Sequence, residues 1–217
     1  MTGINVKAWI NEISADGVTL QQSQNAYIKW ADKYDEDLEN HAFTGPKKVA
    51  QIVRDKLSNQ RPENVRILDV AAGTGLVAKE LREFGFRHID ALEPSEAMLK
   101  EAKKAHLYEN YFIEYISQSQ TTISENSYDV VTGSGLYANE AHVPCEALYE
   151  MIRLVKPGGL IVLCGRNHLL NDSETYKRLE PLMNKLESDQ KWKKVSREIW
   201  PGYLKGIDGV AWCYQVL

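Results

Sequence analysis

The chain has 217 residues, of which 43% are hydrophobic and 26% are charged, and its net charge at pH 7 is −4. This composition is typical of one ordinary globular domain and excludes two large ones. No apolar run approaches the roughly 18 residues that a membrane span needs, and residues 1–11 lack the apolar centre of a secretory signal. The three cysteines form no C-x-x-C pair, so neither a metal site nor a disulfide framework is predicted. We therefore expect a monomeric protein of the cytoplasm or nucleus, with no membrane partner.

The N-terminal region divides into two predicted parts. Residues 1–25 are polar, lack sustained periodicity and are predicted to be flexible, ahead of a single domain over residues 26–217. A helix is predicted over residues 26–34, where one face carries three aromatic residues at helical spacing, Tyr27, Trp30 and Tyr34. A second helix is predicted over residues 45–57, beginning at a Gly-Pro pair.

The next motif joins a buried strand, predicted over residues 65–71, to a helix over residues 76–84. The turn between them contains Gly73 and Gly75. Glycine lets a backbone approach a ligand where a Cβ would clash, and the N-terminus of the helix points free N–H groups at that ligand. Asp69 adds a negative charge that suits a cationic ligand, such as the methionine end of S-adenosylmethionine (SAM). The same residues also satisfy the dinucleotide pattern G-x-G-x-x-A, so NAD stays open at this point.

The rest of the chain alternates between predicted strands and helices. Strands are predicted over residues 88–93, 111–116, 129–133, 160–164, 194–199 and 210–217, and helices from residue 95, over 143–155 and over 172–186. This alternation predicts an α/β fold with a doubly wound, mostly parallel seven-stranded sheet. The last two strands have no helix between them and are predicted to form an antiparallel hairpin. Ligands of such sheets bind at the carboxyl ends of the strands, where Asp69, Gly73 and Glu93 fall.

The order and spacing of these motifs resemble the class I SAM-dependent methyltransferases, which have a Rossmann-like fold. The resemblance covers residues 26–217 and rests on Asp69-x-x-x-Gly73-x-Gly75, Glu93-Pro94-Ser95, Met98-Leu99, Tyr128-Asp129-Val130-Val131 and Lys156-Pro157-Gly158-Gly159. A narrower resemblance, to one group of methyltransferase-like proteins, rests on Tyr27-x-x-Trp30-Ala31-x-x-Tyr34-Asp35 and Val143-Pro144-Cys145. Both resemblances imply SAM as the cofactor, and neither implies a particular methyl acceptor.

The family resemblance implies roles for residues around the glycine turn. Glu93 is expected to accept hydrogen bonds from both ribose hydroxyls, with Pro94 and the N-cap Ser95 beginning the helix beside it. Asp69 is expected to orient the methionine end, directly or through water or backbone; a turn or cap role is the alternative. The residues of the turn that are expected at the cofactor are Ala71, Gly73, Thr74 and Gly75.

The adenine end of the cofactor is expected further along the chain. Met98 is expected either to lie on the adenine as a polarizable apolar surface or to pack in the core. The third strand is followed by no acid, so Gln118 or Gln120 is expected to meet the adenine amine.

The acceptor side is expected after the fourth strand. The small residues Gly133, Ser134 and Gly135 would let a sulfonium and an acceptor approach each other, and Leu136 and Tyr137 would begin the acceptor wall.

Two further groups are expected near the mouth of the site. The aromatic face of Tyr27, Trp30 and Tyr34 either covers the cofactor, with residues 26–45 as a lid, or packs on the core. His142 and His168 are candidate general bases, with ordinary polar loop residues as the alternative interpretation. Tyr137 is a further candidate for a catalytic role.

These residues favour a SAM-dependent methyltransferase with an unidentified acceptor, and a small molecule is slightly favoured because the acidic chain carries no added recognition domain. A SAM-binding regulatory protein without turnover is the alternative. An NAD-binding oxidoreductase is a weaker one, because a simple dehydrogenase needs neither Asp69 nor the terminal hairpin. The basic patch Lys191–Lys194 leaves RNA contact open, although a solvated face is the favoured interpretation.

Overall fold

The computed structural model of the protein describes residues 17–137 and 142–217. Its strands are β1 Arg66–Val70, β2 His88–Leu92, β3 Tyr111–Phe112, β4 Tyr128–Ser134, β5 Val155–Arg166, β6 Trp192–Leu204 and β7 Ile207–Val216. They form one sheet in the order β3-β2-β1-β4-β5-β7-β6. Neighbours from β3 to β5 are parallel, and β7 is antiparallel to both β5 and β6. The predicted doubly wound sheet with its C-terminal hairpin is confirmed.

Helices cover both faces of this sheet. They are α1 Leu20–Trp30, α2 Tyr34–Asn40, α3 Gly45–Lys56, α4 Leu76–Glu83, α5 Glu96–Lys104, α6 Ala147–Leu154, α7 Leu169–Asp172 and α8 Leu179–Ser188. Successive residues of a strand point to opposite faces, so Ile67 packs in the core that includes α3 and α4, while Leu68 packs in the core that includes α6 and α8. Within the described ranges, no helix has both the length and the apolar character of a membrane span.

The first helix begins earlier than predicted. Thr19 and Gln22 form a capping box, in which each side chain accepts a hydrogen bond from the backbone N–H of the other, so α1 begins at Leu20 instead of residue 26. The predicted flexible segment 1–25 therefore overlaps α1 over residues 20–25, and residues 1–16 lie outside the described residues.

The predicted aromatic face does not lie on one helix. α1 ends at Trp30, and Tyr34 is the first residue of α2, so the three rings come from two helices that meet at a turn. They still cluster, because the Trp30 and Tyr34 rings are 4.7 Å apart and the Tyr27 and Trp30 rings 6.3 Å apart, measured between centroids.

Three other predicted elements differ. β3 ends at Phe112 instead of residue 116. The predicted turn over residues 156–159 lies within β5, as an irregularity where the pairing with β4 passes from Val155 to Leu160. The predicted helix over residues 172–186 is interrupted before α8, which places Pro181 in a first helical turn, where its missing N–H costs no hydrogen bond.

Candidate active site

A cavity opens at the carboxyl ends of β1, β2 and β4, where the ligand site was predicted. It contains about 560 Å³ of empty space, part of it open to solvent. Its lining residues are Ser23, Gln24, Tyr27, Tyr34, Ala71, Gly73, Leu92, Glu93, Pro94, Met98, Tyr115, Ile116, Ser134, Gly135, His142 and Val143.

Glu93 is fixed in the cavity by two backbone donors. The N–H of Gly73 donates to Glu93 Oε2 at 3.0 Å, and the N–H of Ser95 donates to Oε1 at 2.9 Å. Burial raises the pKa of the Glu93 carboxyl to about 7, although both hydrogen bonds act in the opposite direction. Each carboxylate oxygen has capacity for a further hydrogen bond, so the group is able to accept from a vicinal diol.

The two glycines of the turn have different surroundings. Gly73 has φ +56° and faces the cavity, and a Cβ there would meet only Met98 Cε, at 3.5 Å. Gly75 has φ +97° and does not line the cavity; a Cβ there would lie 2.8 Å from Leu107 Cδ1 and 3.2 Å from Tyr108. Gly73 therefore brings the backbone to the ligand side, whereas Gly75 lets the turn pack against the segment after α5.

Asp69 points into the core and does not line the cavity. It is fully buried and accepts hydrogen bonds from Tyr108 Oη at 2.7 Å and from Thr132 Oγ1 at 3.1 Å. Burial raises the pKa of its carboxyl to about 7, although both bonds lower it. Direct contact between Asp69 and a ligand is therefore not supported, and the predicted indirect contact stays a prediction.

Two residues of the predicted cofactor set hold the neighbouring helices in place. Thr74 Oγ1 donates to Asp35 Oδ1 at 2.5 Å, which ties the glycine turn to the start of α2. Ser95 is the predicted N-cap of α5, and its hydroxyl accepts from the N–H of Met98 at 3.4 Å. Met98 itself is buried and lines the cavity, so it serves both the core and the site.

Two more of the predicted set are core residues. Gly133 lies inside β4, where a Cβ would meet the Leu136 side chain at 2.7 Å. Trp30 is buried, and its Nε1 donates to Asp37 Oδ2 at 2.7 Å. Only Tyr27 and Tyr34 of the aromatic cluster reach the cavity. Burial raises the pKa of both phenols, so both hydroxyls stay protonated and able to donate.

The residues predicted to contact the adenine after β3 do not lie at the cavity. Gln118 and Gln120 are exposed and do not line the cavity, and Tyr115 and Ile116 line it instead. The reason is the early end of β3, because the chain leaves the sheet at Phe112 and crosses the cavity before it reaches the glutamines.

The predicted acceptor wall after β4 is also displaced. Leu136 and Tyr137 are buried in the core that includes α6 and α8. The Tyr137 ring packs edge-on against Tyr176 and Trp212, at centroid distances of 5.1 and 6.1 Å. Tyr137 is therefore not placed for a catalytic role, and Ser134 and Gly135 form the wall instead.

Of the two candidate histidines, one lines the cavity and the other does not. His142 lines the cavity, with its Nδ1 3.4 Å from Tyr27 Oη. Burial, followed by the nearby Arg166 cation, lowers the pKa of His142 to about 4, so the imidazole is neutral at pH 7. His168 is exposed and does not line the cavity.

Several lining residues were not predicted. Ser23 and Gln24 come from the first turns of α1, and the pattern Thr19-x-x-Gln22 was the sequence signal that would have extended that helix to include them. Leu92 and Val143 gave no signal, because an apolar residue at the end of an element is indistinguishable in sequence from a core residue.

The chain is similar in sequence to known methyltransferases. A family model described as a methyltransferase domain matches residues 67–159. The chain is 32% identical over 182 residues to human methyltransferase-like protein 27, covering 84% of this chain and 72% of that protein.

Two solved structures share the fold. The magnesium protoporphyrin IX methyltransferase of Synechocystis PCC 6803 with bound SAM matches with a TM-score of 0.60 and 13% identity, covering 98% of this chain and 92% of that one. The [4+2]-cyclase SpnF matches with a TM-score of 0.67 and 14% identity, covering 91% and 96%.

The chain belongs to the class I SAM-dependent methyltransferases, and its cofactor is SAM. The predicted enzyme class, cofactor and family resemblance are confirmed, and the dinucleotide alternative is not supported.

Proposed function

We propose that the chain transfers the methyl group of SAM to a small molecule in the cavity at the ends of β1, β2 and β4. The observation that carries this proposal is the cover formed by α1 and α2, from which Tyr27 and Tyr34 line the cavity. A flat protein or nucleic-acid surface would have to displace these helices to reach Gly73 and Ser134. A small molecule has no such requirement.

The lining residues fit the chemistry of SAM. Glu93 would accept hydrogen bonds from the ribose hydroxyls, and Met98 and Ile116 offer apolar surface to the adenine. Tyr27 and Tyr34 offer aromatic faces to the sulfonium and ammonium, and hydroxyl donors to the carboxylate.

Bound SAM supplies an activated methyl group on a sulfonium. The chain would contribute alignment of the acceptor and exclusion of water, and alignment is worth up to roughly 7–11 kcal/mol when the geometry is near-attack. His142 lines the same cavity as Ser134 and its imidazole is neutral, so it would accept a hydrogen bond from a hydroxyl acceptor and orient it. An acceptor that is already a free amine or a thiolate would need no base.

The proposal is tested with SAM that carries a labelled methyl group. The protein is incubated with the small-molecule fraction and, separately, with the protein and RNA fractions of a cell extract. We expect label in the small-molecule fraction, and none with a Gly73→Val variant that cannot bind SAM. Label on protein or RNA would overturn the proposal. Calorimetric SAM binding without label in any fraction would favour the regulatory alternative.

A further inference from the structure

We propose that the methyl acceptor enters through a passage between α2 and α4, separate from the opening of the SAM cavity, and that it is an uncharged molecule with a flat apolar body. This inference rests on the proposed function and specifies its substrate class. Two further spaces lie on that side of the molecule: the first borders the SAM cavity, the second borders the first, and both are partly open to solvent.

The first space is an inner chamber of about 290 Å³. It shares Tyr34, Ala71, Gly73 and Ser134 with the SAM cavity, so the two spaces meet at the glycine turn and at the end of β4. Ser134 keeps its place there because residue 45 is glycine: a Cβ on Gly45 would lie 2.6 Å from Ser134 Oγ. The chamber therefore touches the part of the cavity where the sulfonium is expected.

The second space is an outer groove of about 620 Å³. It shares Phe43, Pro46 and Leu76 with the inner chamber and adds Leu38. These four side chains form a continuous apolar wall from the surface to the chamber. A molecule with a flat apolar body would be desolvated along this wall, and removal of apolar surface from water favours binding.

Charge on the rim does not select an ion of either sign. The groove is bordered by two cations, Lys47 and Lys79, and by three carboxylates, Asp35, Glu39 and Glu80. Charges of opposite sign at one rim largely cancel at a distance, so neither an anion nor a cation gains a strong attraction. Shape and apolar contact are left as the selective features, which is why we assign an uncharged acceptor.

One hydrogen bond forms a side of this passage. Thr74 lines the inner chamber and Asp35 lines the outer groove, and they are joined by the 2.5 Å bond from Thr74 Oγ1 to Asp35 Oδ1. This bond keeps α2 against the glycine turn and so sets the width between α2 and α4. Thr74 and Asp35 are positioning residues for the passage.

Indole is a suitable probe because it is flat, apolar and uncharged. The full chain is first saturated with S-adenosylhomocysteine, which fills the SAM cavity, and indole binding is then followed by the NMR shifts of backbone amides. We expect the shifts to concentrate at Leu38, Phe43 and Leu76. No binding, or shifts confined to Tyr115 and Ile116, would overturn the proposal.

Two tryptophan variants on α4 supply a matched pair. Leu76→Trp narrows the passage and should weaken indole binding at least tenfold, whereas Glu83→Trp places the same ring on an exposed position outside the groove and should leave it unchanged. Lys79→Trp, at the rim, is a second blocking variant in case Leu76→Trp fails to fold. Equal indole affinity in blocking and control variants would overturn the passage. S-adenosylhomocysteine should bind all variants with the same affinity, measured separately by calorimetry. If the unmodified protein itself fails to bind S-adenosylhomocysteine, that result counts against the proposed function and not against the passage.

Discussion

The floor and the cover of the SAM cavity are built in different ways. The floor is set by backbone hydrogen bonds, since Glu93 is held by the N–H groups of Gly73 and Ser95 at the ends of parallel strands. The cover, α1 and α2, meets the rest of the site through side chains, such as the Asp35 contact with Thr74. A floor locked by the backbone is preorganised for its ligand, whereas a cover held by a few side chains is the part that we expect to respond to ligand binding.

The largest expected effect comes from a change in the floor. Gly73→Val forces a branched residue into positive φ, which costs about 1–2 kcal/mol, and places methyl groups in the cavity beside Met98. We expect SAM affinity to fall more than a hundredfold in calorimetry, while the protein remains folded.

Gly75→Ala is the control for this variant. Its Cβ would collide with Leu107 on the side away from the cavity, so it should lower the free energy of unfolding and leave SAM affinity nearly unchanged. If the two variants lose SAM affinity equally, the assignment of separate roles to the two glycines is wrong.

The next effect concerns the carboxylate of the floor. Glu93→Ala removes the expected acceptor of the ribose hydroxyls, and hydrogen bonds to a charged group are worth about 1.5–3 kcal/mol, so affinity should fall roughly tenfold to a hundredfold. The variant also leaves the N–H groups of Gly73 and Ser95 without their acceptor, so the free energy of unfolding without ligand should fall by about 1–3 kcal/mol. Unchanged SAM affinity would contradict the ribose assignment.

The floor should also make stability depend on pH. Burial raises the pKa of Asp69 and of Glu93 to about 7, so between pH 4.5 and 7 the folded protein holds protons that the unfolded chain has lost. The free energy of unfolding should therefore fall as pH rises through this window, by up to about 1.4 kcal/mol per pH unit for each carboxyl. Denaturant unfolding at a series of pH values measures this slope.

His142, in the segment between β4 and α6, contributes the opposite slope. Because burial lowers the pKa of His142 to about 4, its contribution to stability increases from pH 4 to 6.5. Glu93→Gln should flatten the fall in stability, and His142→Gln should steepen it below pH 6.5. A profile that neither substitution alters would show that these groups do not titrate as inferred.

The smallest expected effect is in the cover itself. We propose that residues 26–45 act as a lid, so the amides of residues 26–36 should exchange more slowly, by severalfold, when S-adenosylhomocysteine is added. Trp30 is buried in the core and should limit how far the segment opens. Hydrogen exchange measured by mass spectrometry tests this prediction. Slow exchange that is indifferent to ligand would mean that the segment is fixed core structure.

Much of the site was predictable because its signals are local. The glycine turn, Glu93 at the end of β2, and the Ser95 cap each depend on a few consecutive residues, and each lies where it was predicted. The errors at Tyr137 and Gln118 share one cause: both were placed by counting residues beyond a strand, and that count fails when a strand ends early or the chain turns into the core.

The sequence by itself determined the strand and helix alternation and hence the fold class, because periodicity and turn chemistry act between neighbours in the chain. The cofactor was implied by the resemblance of the ordered motifs to the class I SAM-dependent methyltransferases. Only the tertiary structure decided that Asp69 faces the core, that Gly73 and Gly75 serve opposite sides of one turn, and that His142 meets Tyr27. Those outcomes depend on contacts between residues far apart in the chain, which no local pattern records.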